Sequence, residues 1–161
     1  MSATLIPREE ISALGERLRR EGRRIAFANG CFDILHVGHV RYLEEARRAG
    51  DVLVVGVNSD RTVATLKGKG RPILSAEGRA ELVAALESVD YVVIFDELTA
   101  AAILLDLLPD VHCKGTDYSQ ETVPEREVVK SFGGEVRIVG DAKNHSTRDL
   151  LAEISRRAQG E

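Results

Sequence analysis

The sequence predicts an α/β protein of Rossmann-like type, with an open parallel sheet of five strands and helices on both faces. Short apolar runs of strand length alternate along the chain with longer segments in which apolar residues recur at helical spacing. Residues 52–57 form an unbroken apolar run, as expected for a strand buried on both faces of a parallel sheet. Strands and helices that alternate in this way are joined by right-handed crossovers, which make the sheet parallel.

The elements follow one another in a regular order. The first is an amphipathic helix at residues 9–21, with apolar residues at helical spacing and Gly22 after its last turn. The predicted strands are residues 24–28, 52–57, 91–95, 111–114 and 135–139. The predicted helices that accompany them are residues 38–48, 77–87, 99–107 and 125–131, and a final helix begins at Ser146. Residues 60–72 are rich in Gly and Lys and are predicted to form a mobile loop.

Composition limits the classes of function. A length of 161 residues fits one domain, 1–161, with residues 1–22 packed on it as an N-terminal helix. The net charge of −4 gives no reason to expect a nucleic-acid or membrane partner. No apolar run reaches the ~18 residues of a membrane span, and residues 1–10 lack the apolar centre of a signal peptide. Because Cys31 and Cys113 are far apart, free thiols and a cytoplasmic location are expected.

The most informative segment is residues 29–39, Asn-Gly-Cys-Phe-Asp-Ile-Leu-His-Val-Gly-His. It follows the first strand and leads into a helix, where amide N–H groups and the positive end of the helix dipole favour phosphate. Gly30 allows a close approach of the backbone to a ligand, and Gly38 lets the helix begin beside it. His36 and His39 are three residues apart, so both rings can face one pocket and donate to the β- and γ-phosphates.

Simpler interpretations of this segment stay open. A histidine near the start of a helix is more often an ordinary polar residue than a catalytic one. Asp33, His36 and His39 are also residue types that bind zinc. No third His or Cys falls nearby in the sequence, so no metal site is predicted.

Taken as a whole, the segment resembles a known signature. His-x-Gly-His after the first strand resembles that of the HIGH superfamily of nucleotidyltransferases, and residues 29–39 resemble its cytidylyltransferase-like branch, above all the heptose 1-phosphate adenylyltransferases. The similarity extends from residue 23 to residue 154. The matching positions are residues 58–60, 66–68, 71–73, 79, 89–90, 114–118, 133–136 and 146–147.

The resemblance implies a nucleotidylyl transferase fold and a reaction. AMP passes from ATP to a sugar 1-phosphate, in this family D-glycero-D-manno-heptose 1-phosphate, and the products are ADP-heptose and pyrophosphate for lipopolysaccharide or surface polysaccharide synthesis. ATP is then a substrate, and Mg²⁺ is held mainly by the phosphates. Since such domains also occur as the carboxyl-terminal part of a bifunctional heptose kinase/adenylyltransferase, a functional link to a heptose kinase is expected.

The helix predicted at residues 99–107 is unusually apolar, so its apolar face is expected either to pack in the core or to form the interface of a homodimer.

The resemblance also implies roles for individual residues. The catalytic residues that hold the triphosphate are His36, His39, Lys67 and Arg79. The remaining predicted residues bind the nucleotide or the acceptor, and they are Asn29, Gly30, Cys31, Phe32, Asp33, Gly38, Lys114, Gly115, Asp117, Tyr118, Ser146 and Thr147.

Several of these residues have an ordinary structural interpretation as well. Lys67, Lys69 and Arg71 form either a solvated basic loop or a lid over the triphosphate. Asp117 can simply form a turn, and Ser146 can cap the last helix with Asp149 in a capping box.

The chain departs from the family pattern at a few positions. Thr116 stands where the heptose enzymes often have Gly, Arg148 replaces a hydroxyl residue, and residues 143–145 are unusual. These positions bear on the acceptor and on triphosphate contacts. One alternative is a glycerol 3-phosphate cytidylyltransferase that uses CTP, since such enzymes share the His-x-Gly-His and Ser-Thr elements. An alternative of another class is a nucleotide-binding module without turnover. A dinucleotide-dependent dehydrogenase is excluded, because the first turn lacks GxGxxG.

Overall fold

The structure is a computed structural model that describes residues 2–142 and 146–160. Six parallel strands form one sheet: β1 (Thr4–Leu5), β2 (Ile25–Gly30), β3 (Val52–Asn58), β4 (Tyr91–Phe95), β5 (Val111–Lys114) and β6 (Glu135–Ile138). The helices are α1 (Ile11–Arg20), α2 (Val37–Arg48), α3 (Asp60–Lys67), α4 (Ala76–Ala84), α5 (Ala101–Leu107), α6 (Arg126–Ser131) and α7 (Thr147–Ala158). A 3₁₀ turn, Arg8–Glu10, leads into α1.

The order of the strands determines where a ligand can bind. Across the sheet the order is β1-β4-β3-β2-β5-β6. From β2 the chain winds outward through β3 to β4, then returns to place β5 on the other side of β2. The direction of winding therefore reverses between β2 and β5, and parallel sheets open a crevice at the carboxyl ends of the strands at such a point.

Helices cover both faces of the sheet, which confirms the predicted Rossmann-like fold class. On one face, Leu43 of α2 and Val83 of α4 pack on the central strands. On the other face, Leu18 of α1 and Leu104 of α5 do the same. β3 is buried along its whole length, because its two sides meet these two layers.

The N-terminal helix packs directly against α5. A Cβ atom added to Gly15 would lie 2.5 Å from the carbonyl oxygen of Leu107, so glycine is what allows the two helices to approach. The guanidinium of Arg19 also donates to that carbonyl, at 2.7 Å. These contacts hold α1 against the end of α5.

The sheet has six strands, and the prediction of five was one too few. The additional strand, β1, pairs with β4 through Thr4 and Leu5 only. Both residues are exposed, so the strand carries no alternation of buried and exposed positions that a sequence pattern could reveal.

The prediction of a loop over residues 60–72 was wrong for its first eight residues, which form α3. The side chain of Ser59 caps this helix by accepting the amide of Thr62, and Val63 is buried beneath it. The helix ends at Gly68, which has a φ of 93°. The glycines and lysines just after the helix dominated the composition of the segment and hid its helical part.

Most of the apolar face of α5 belongs to the core. Ile103, Leu104 and Leu107 are fully buried, whereas Leu105 is exposed. A homodimer stays a prediction. Within residues 2–142 and 146–160, none of the helices combines the length and the apolar character that crossing a membrane requires.

Candidate active site

A cleft of about 920 Å³ opens where the winding of the sheet reverses. Ligand pockets for small molecules span roughly 300–1,000 Å³, so there is room for a nucleotide and part of a second substrate. All the predicted site residues except Arg79 line it: Asn29, Gly30, Cys31, Phe32, Asp33, His36, Gly38, His39, Lys67, Lys114, Gly115, Asp117, Tyr118, Ser146 and Thr147. The structure therefore brings together residues that lie up to 118 positions apart in the sequence.

The turn after β2 has an unusual backbone. Phe32 and Ile34 have positive φ values of 49° and 83°, a region that residues other than glycine seldom adopt. The ring of Phe32 folds back over Gly30, where an added Cβ would come within 3.2 Å of it. This conformation turns the side chain of Asp33, which lies between the two residues, into the protein.

Asp33 anchors the segment that follows α3. Its carboxylate accepts the amides of Ile73 at 2.8 Å and Leu74 at 3.0 Å, and the Nε of Arg71 at 2.7 Å. Burial would raise the pKa of this carboxyl, but the two amides and Arg71 outweigh burial and hold the pKa below its ordinary value of 3.8. The side chain therefore fixes residues 71–74 against the turn.

His36 and His39 form a stacked pair at the start of α2. Their ring centroids are 3.8 Å apart, and the rings are inclined by 24°. The Nδ1 of His36 accepts the amide of Gly38 at 3.1 Å, and the Nδ1 of His39 accepts the amide of His36 at 3.3 Å. Because each Nδ1 is an acceptor, a neutral ring carries its proton on Nε2. The pair thus caps the helix and is set up to donate from two Nε2–H groups.

Arg79 does not line the cleft. Its side chain is fully buried, and its guanidinium donates to the carbonyls of Cys31 at 2.6 Å and Asn58 at 2.7 Å. It also donates to the carbonyl of Leu74 at 2.9 Å and pairs with Asp60 at 2.8 Å. The prediction that Arg79 touches phosphate is therefore not supported by its position. Its guanidinium instead ties the ends of β2 and β3 to the start of α3, where only a planar group with several donors serves.

A buried histidine supports the floor of the cleft. His112 on β5 is fully buried, and its Nε2 lies 2.9 Å from the Oδ1 of Asn29. Burial, and to a smaller extent the charge of Lys114, lowers the pKa of His112 to about 3. The ring is therefore neutral and holds the amide group of Asn29 in one orientation.

Positive charge reaches the cleft from several elements. Lys67 at the end of α3, Arg71 and Arg148 line it, whereas Lys69 does not. Lys114 at the end of β5 is mostly buried, with its Nζ 4.6 Å from the ring centroid of Tyr118. These cations surround a volume suited to an anionic ligand.

The start of α7 closes the remaining side. Ser146 caps the helix by accepting the amide of Asp149 at 3.0 Å. The hydroxyl of Thr147 donates to the carbonyl of Ile34 at 3.4 Å, which joins α7 to the turn after β2. The unusual residues 143–145 lie outside the described part of the chain.

The family comparison agrees with this geometry. Residues 27–153 match the cytidylyltransferase-like family. The chain belongs to the cytidylyltransferase-like family. The prediction of that branch of the nucleotidyltransferases is thereby confirmed.

Individual relatives support the same assignment. The bifunctional protein HldE of Syntrophotalea carbinolica is 46% identical over 147 residues, which is 91% of this chain and 30% of that protein. The bifunctional protein HldE of Pseudomonas aeruginosa is 48% identical over 149 residues, 92% of this chain and 32% of that protein. The chain thus spans about a third of the length of these relatives.

A solved structure shows a similar fold. The lipopolysaccharide core biosynthesis protein from Thermoplasma volcanium superposes with a TM-score of 0.63 and 31% identity. The match covers 77% of this chain and all of that one. That protein therefore shares much of the present arrangement of strands and helices.

Some residues of this cytidylyltransferase-like site were missed from the sequence. Glu125 was taken only as the first residue of a helix, and His112 and Tyr42 were not singled out. Tyr42 donates its hydroxyl to the carbonyl of Cys113 at 2.7 Å. Glu125 and Tyr42 line the cleft, and His112 lies against Asn29. No motif in the sequence surrounds them, so only the topology of the sheet brings them to these positions.

We predict that Asp33→Asn lowers the free energy of unfolding at pH 7 by about 3 kcal/mol, because a buried, paired charge is removed. The folded-state pKa of Asp33 is lowered, so its contribution is present above the ordinary value of 3.8 and is lost as the pH falls through the folded value. Urea unfolding of wild type and variant at pH 7 and at pH 3 measures the free energies of unfolding. The difference between wild type and variant should shrink at pH 3. Asp51→Asn, at an exposed carboxylate that accepts the amide of Arg24, is the control. An equal difference at both pH values would contradict the assignment.

A second prediction concerns His112. Its pKa is about 3 in the folded state and near 6.5 in the unfolded state, so unfolding takes up a proton between these values. Stability conferred by the neutral ring is therefore lost as the pH falls below 6.5. Relative to His112→Gln, wild type should lose about 1.4 kcal/mol for each pH unit in this window. Parallel pH profiles of the two proteins in urea unfolding would show that the ring is not held neutral.

Proposed function

We propose that this domain transfers AMP from ATP to a sugar 1-phosphate, giving a nucleotide sugar and pyrophosphate. The observation that carries the proposal is the stacked pair His36 and His39 at the start of α2, in a cleft at the point where the sheet reverses its winding. Membership of the cytidylyltransferase-like family supports the reaction class. The resemblance to heptose 1-phosphate adenylyltransferases, together with the HldE relatives, favours D-glycero-D-manno-heptose 1-phosphate as the acceptor.

The reaction is a single in-line displacement. A phosphate oxygen of the acceptor attacks the α-phosphorus of ATP, the new P–O bond forms, and the bond from the α-phosphorus to the bridging oxygen of the β-phosphate breaks. The electron pair leaves with pyrophosphate. Because the second pKa of a sugar phosphate is about 6, the nucleophile is already ionised and no strong general base is needed. Catalysis then depends on alignment and on stabilisation of charge.

The histidine pair and the basic residues act on the leaving group. The Nε2–H groups of His36 and His39 donate to β- and γ-phosphate oxygens, where negative charge grows in the transition state. Lys67 adds a positive charge from the end of α3. Arg79 contributes indirectly, by holding the backbone of Cys31 and Asn58 in place.

The cleft fits a Mg²⁺ ion that is held mainly by the triphosphate. The described residues contain no group of three or more His, Cys, Asp or Glu side chains placed to hold a metal. Asp117 and Asp149 line the cleft, and their carboxylates would be the protein ligands that could add to those of the phosphates. When bound, the ion would neutralise part of the charge of the phosphates.

The other side of the cleft receives the acceptor. Lys114 binds its phosphate, and Asp117 accepts hydrogen bonds from its hydroxyl groups. Asn29 and Phe32 contact the nucleotide, while Ser146 and Thr147 bring the N-terminus of α7 to the phosphates. A heptose kinase that produces the sugar 1-phosphate is the expected functional partner, and the cytoplasmic location stays a prediction.

We predict that pyrophosphate release requires ATP and a sugar 1-phosphate together. The assay pairs ATP or CTP with D-glycero-D-manno-heptose 1-phosphate or glycerol 3-phosphate and measures pyrophosphate by a coupled enzyme reaction. The highest kcat/KM should come from ATP with the heptose phosphate. A preference for CTP with glycerol 3-phosphate would select the other enzyme of this family. Tight nucleotide binding without turnover for any pair would show a binding module.

We further predict that His39→Ala lowers kcat by on the order of 10²-fold, the effect of losing one preorganised donor. Glu44→Ala, on the exposed side of the same helix, is the matched control and should leave kcat unchanged. Circular dichroism establishes that both variants are folded. Unchanged turnover in folded His39→Ala would remove the ring from the mechanism.

A further inference from the structure

One buried carboxylate in the cleft has an oxygen that accepts no hydrogen bond from the described residues, although buried polar atoms normally do. Glu125 is only 7% exposed, and its Oε2 makes no hydrogen bond with any described residue. It precedes α6, but its side chain does not cap that helix. A buried oxygen without a partner is costly, because the carboxylate has given up its hydration. Since none of the described residues donates a hydrogen bond to this oxygen, a ligand is the natural source of the missing donor.

The surroundings of Glu125 indicate which kind of ligand. It lines the cleft together with Lys114, Asp117 and Tyr118. The Nζ of Lys114 lies 4.6 Å from the ring centroid of Tyr118. Burial lowers the pKa of the Lys114 ammonium, and the carboxylates of Glu125 and Asp117 act in the opposite direction. A cation and an acceptor oxygen that no described residue hydrogen-bonds therefore lie in one subsite on the β5 side of the cleft.

That combination matches a molecule with a phosphate and a hydroxyl group. The ammonium pairs with the phosphate, and the carboxylate accepts the hydroxyl hydrogen. We propose that Glu125 is a specificity-determining residue that recognises a hydroxyl group of the acceptor sugar beside Lys114. The inference rests on the proposed function for the identity of the acceptor. A site built to bind a hydroxyl group discriminates strongly, because its buried acceptor is left unpaired by a substrate without one.

The test compares Glu125→Gln and Glu125→Ala with Glu127→Gln. Glu127 lies two residues further on, with a side chain that is 76% exposed, so it is a matched control. Pyrophosphate release from ATP and D-glycero-D-manno-heptose 1-phosphate gives KM for each substrate. Glu125→Ala should raise KM for the sugar phosphate on the order of 10- to 100-fold, the effect of losing a hydrogen bond to a charged group. KM for ATP should not change, and Glu127→Gln should behave as wild type.

Thermal unfolding separates recognition from a structural role. Because the Oε2 of Glu125 accepts no hydrogen bond from the described residues, Glu125→Gln should unfold close to the temperature of wild type. An unchanged KM for the sugar phosphate would overturn the proposal. The proposal would also be overturned if the Glu125 variants unfolded at a lower temperature and had KM raised equally for both substrates.

A direct binding measurement covers the case in which wild type does not turn over. Calorimetric titration of the sugar phosphate, with a non-hydrolysable ATP analogue present, reports binding without chemistry. Weaker binding by Glu125→Ala than by wild type and Glu127→Gln would support the role of Glu125 even if the proposed reaction failed. Equal binding by the three proteins, or no binding by wild type, would reject it.

Discussion

The direction of winding of the sheet reverses between β2 and β5, and the site depends on this reversal. In a parallel sheet, the connection that leaves the carboxyl end of a strand leads to a helix on one face, and neighbouring connections that turn to the same face fill the space beyond the strand ends. At the reversal the helices after β2 and β5 diverge to opposite faces, so that space is left open. The N-terminus of α2 and the segment after β5 therefore face one cleft, with the histidine pair on one side and Lys114 on the other.

Buried polar groups keep the walls of this cleft in place. Arg79 joins the ends of β2 and β3 through two carbonyl oxygens, and Asp33 fixes residues 71–74 through two amides. The ring of His112 fixes the side chain of Asn29 through a hydrogen bond to its Oδ1. Each of these side chains satisfies backbone or amide groups that water would otherwise have to reach. These contacts hold the backbone around the histidine pair in one arrangement.

The sequence was sufficient for most of the fold, because its signals are strong where elements are long or buried. The unbroken apolar run in β3 and the helical spacing in α1 each predicted the observed element. The strand β1 was not predicted, since two exposed residues on a sheet edge carry no periodicity. The helix α3 was predicted as a loop because the glycines after it dominated the composition of the segment.

The site was predictable where residues stand in a local motif and unpredictable where they meet only through the topology. The string from Asn29 to His39 is contiguous, so its place in the cleft followed from the strand-to-helix junction. Arg79 was assigned to phosphate because a resemblance does not say which way a side chain points. Glu125 reaches the cleft, and His112 reaches Asn29, only once α6 and β5 are in position, and neither residue stands in a sequence motif.

A crystal structure with a non-hydrolysable ATP analogue and Mg²⁺ would show whether the histidine pair binds the triphosphate. We expect the β- and γ-phosphate oxygens to lie within hydrogen-bonding distance of the Nε2 atoms of His36 and His39, beyond the end of β2. Phosphates bound elsewhere, with the two rings making no contact to them, would contradict it.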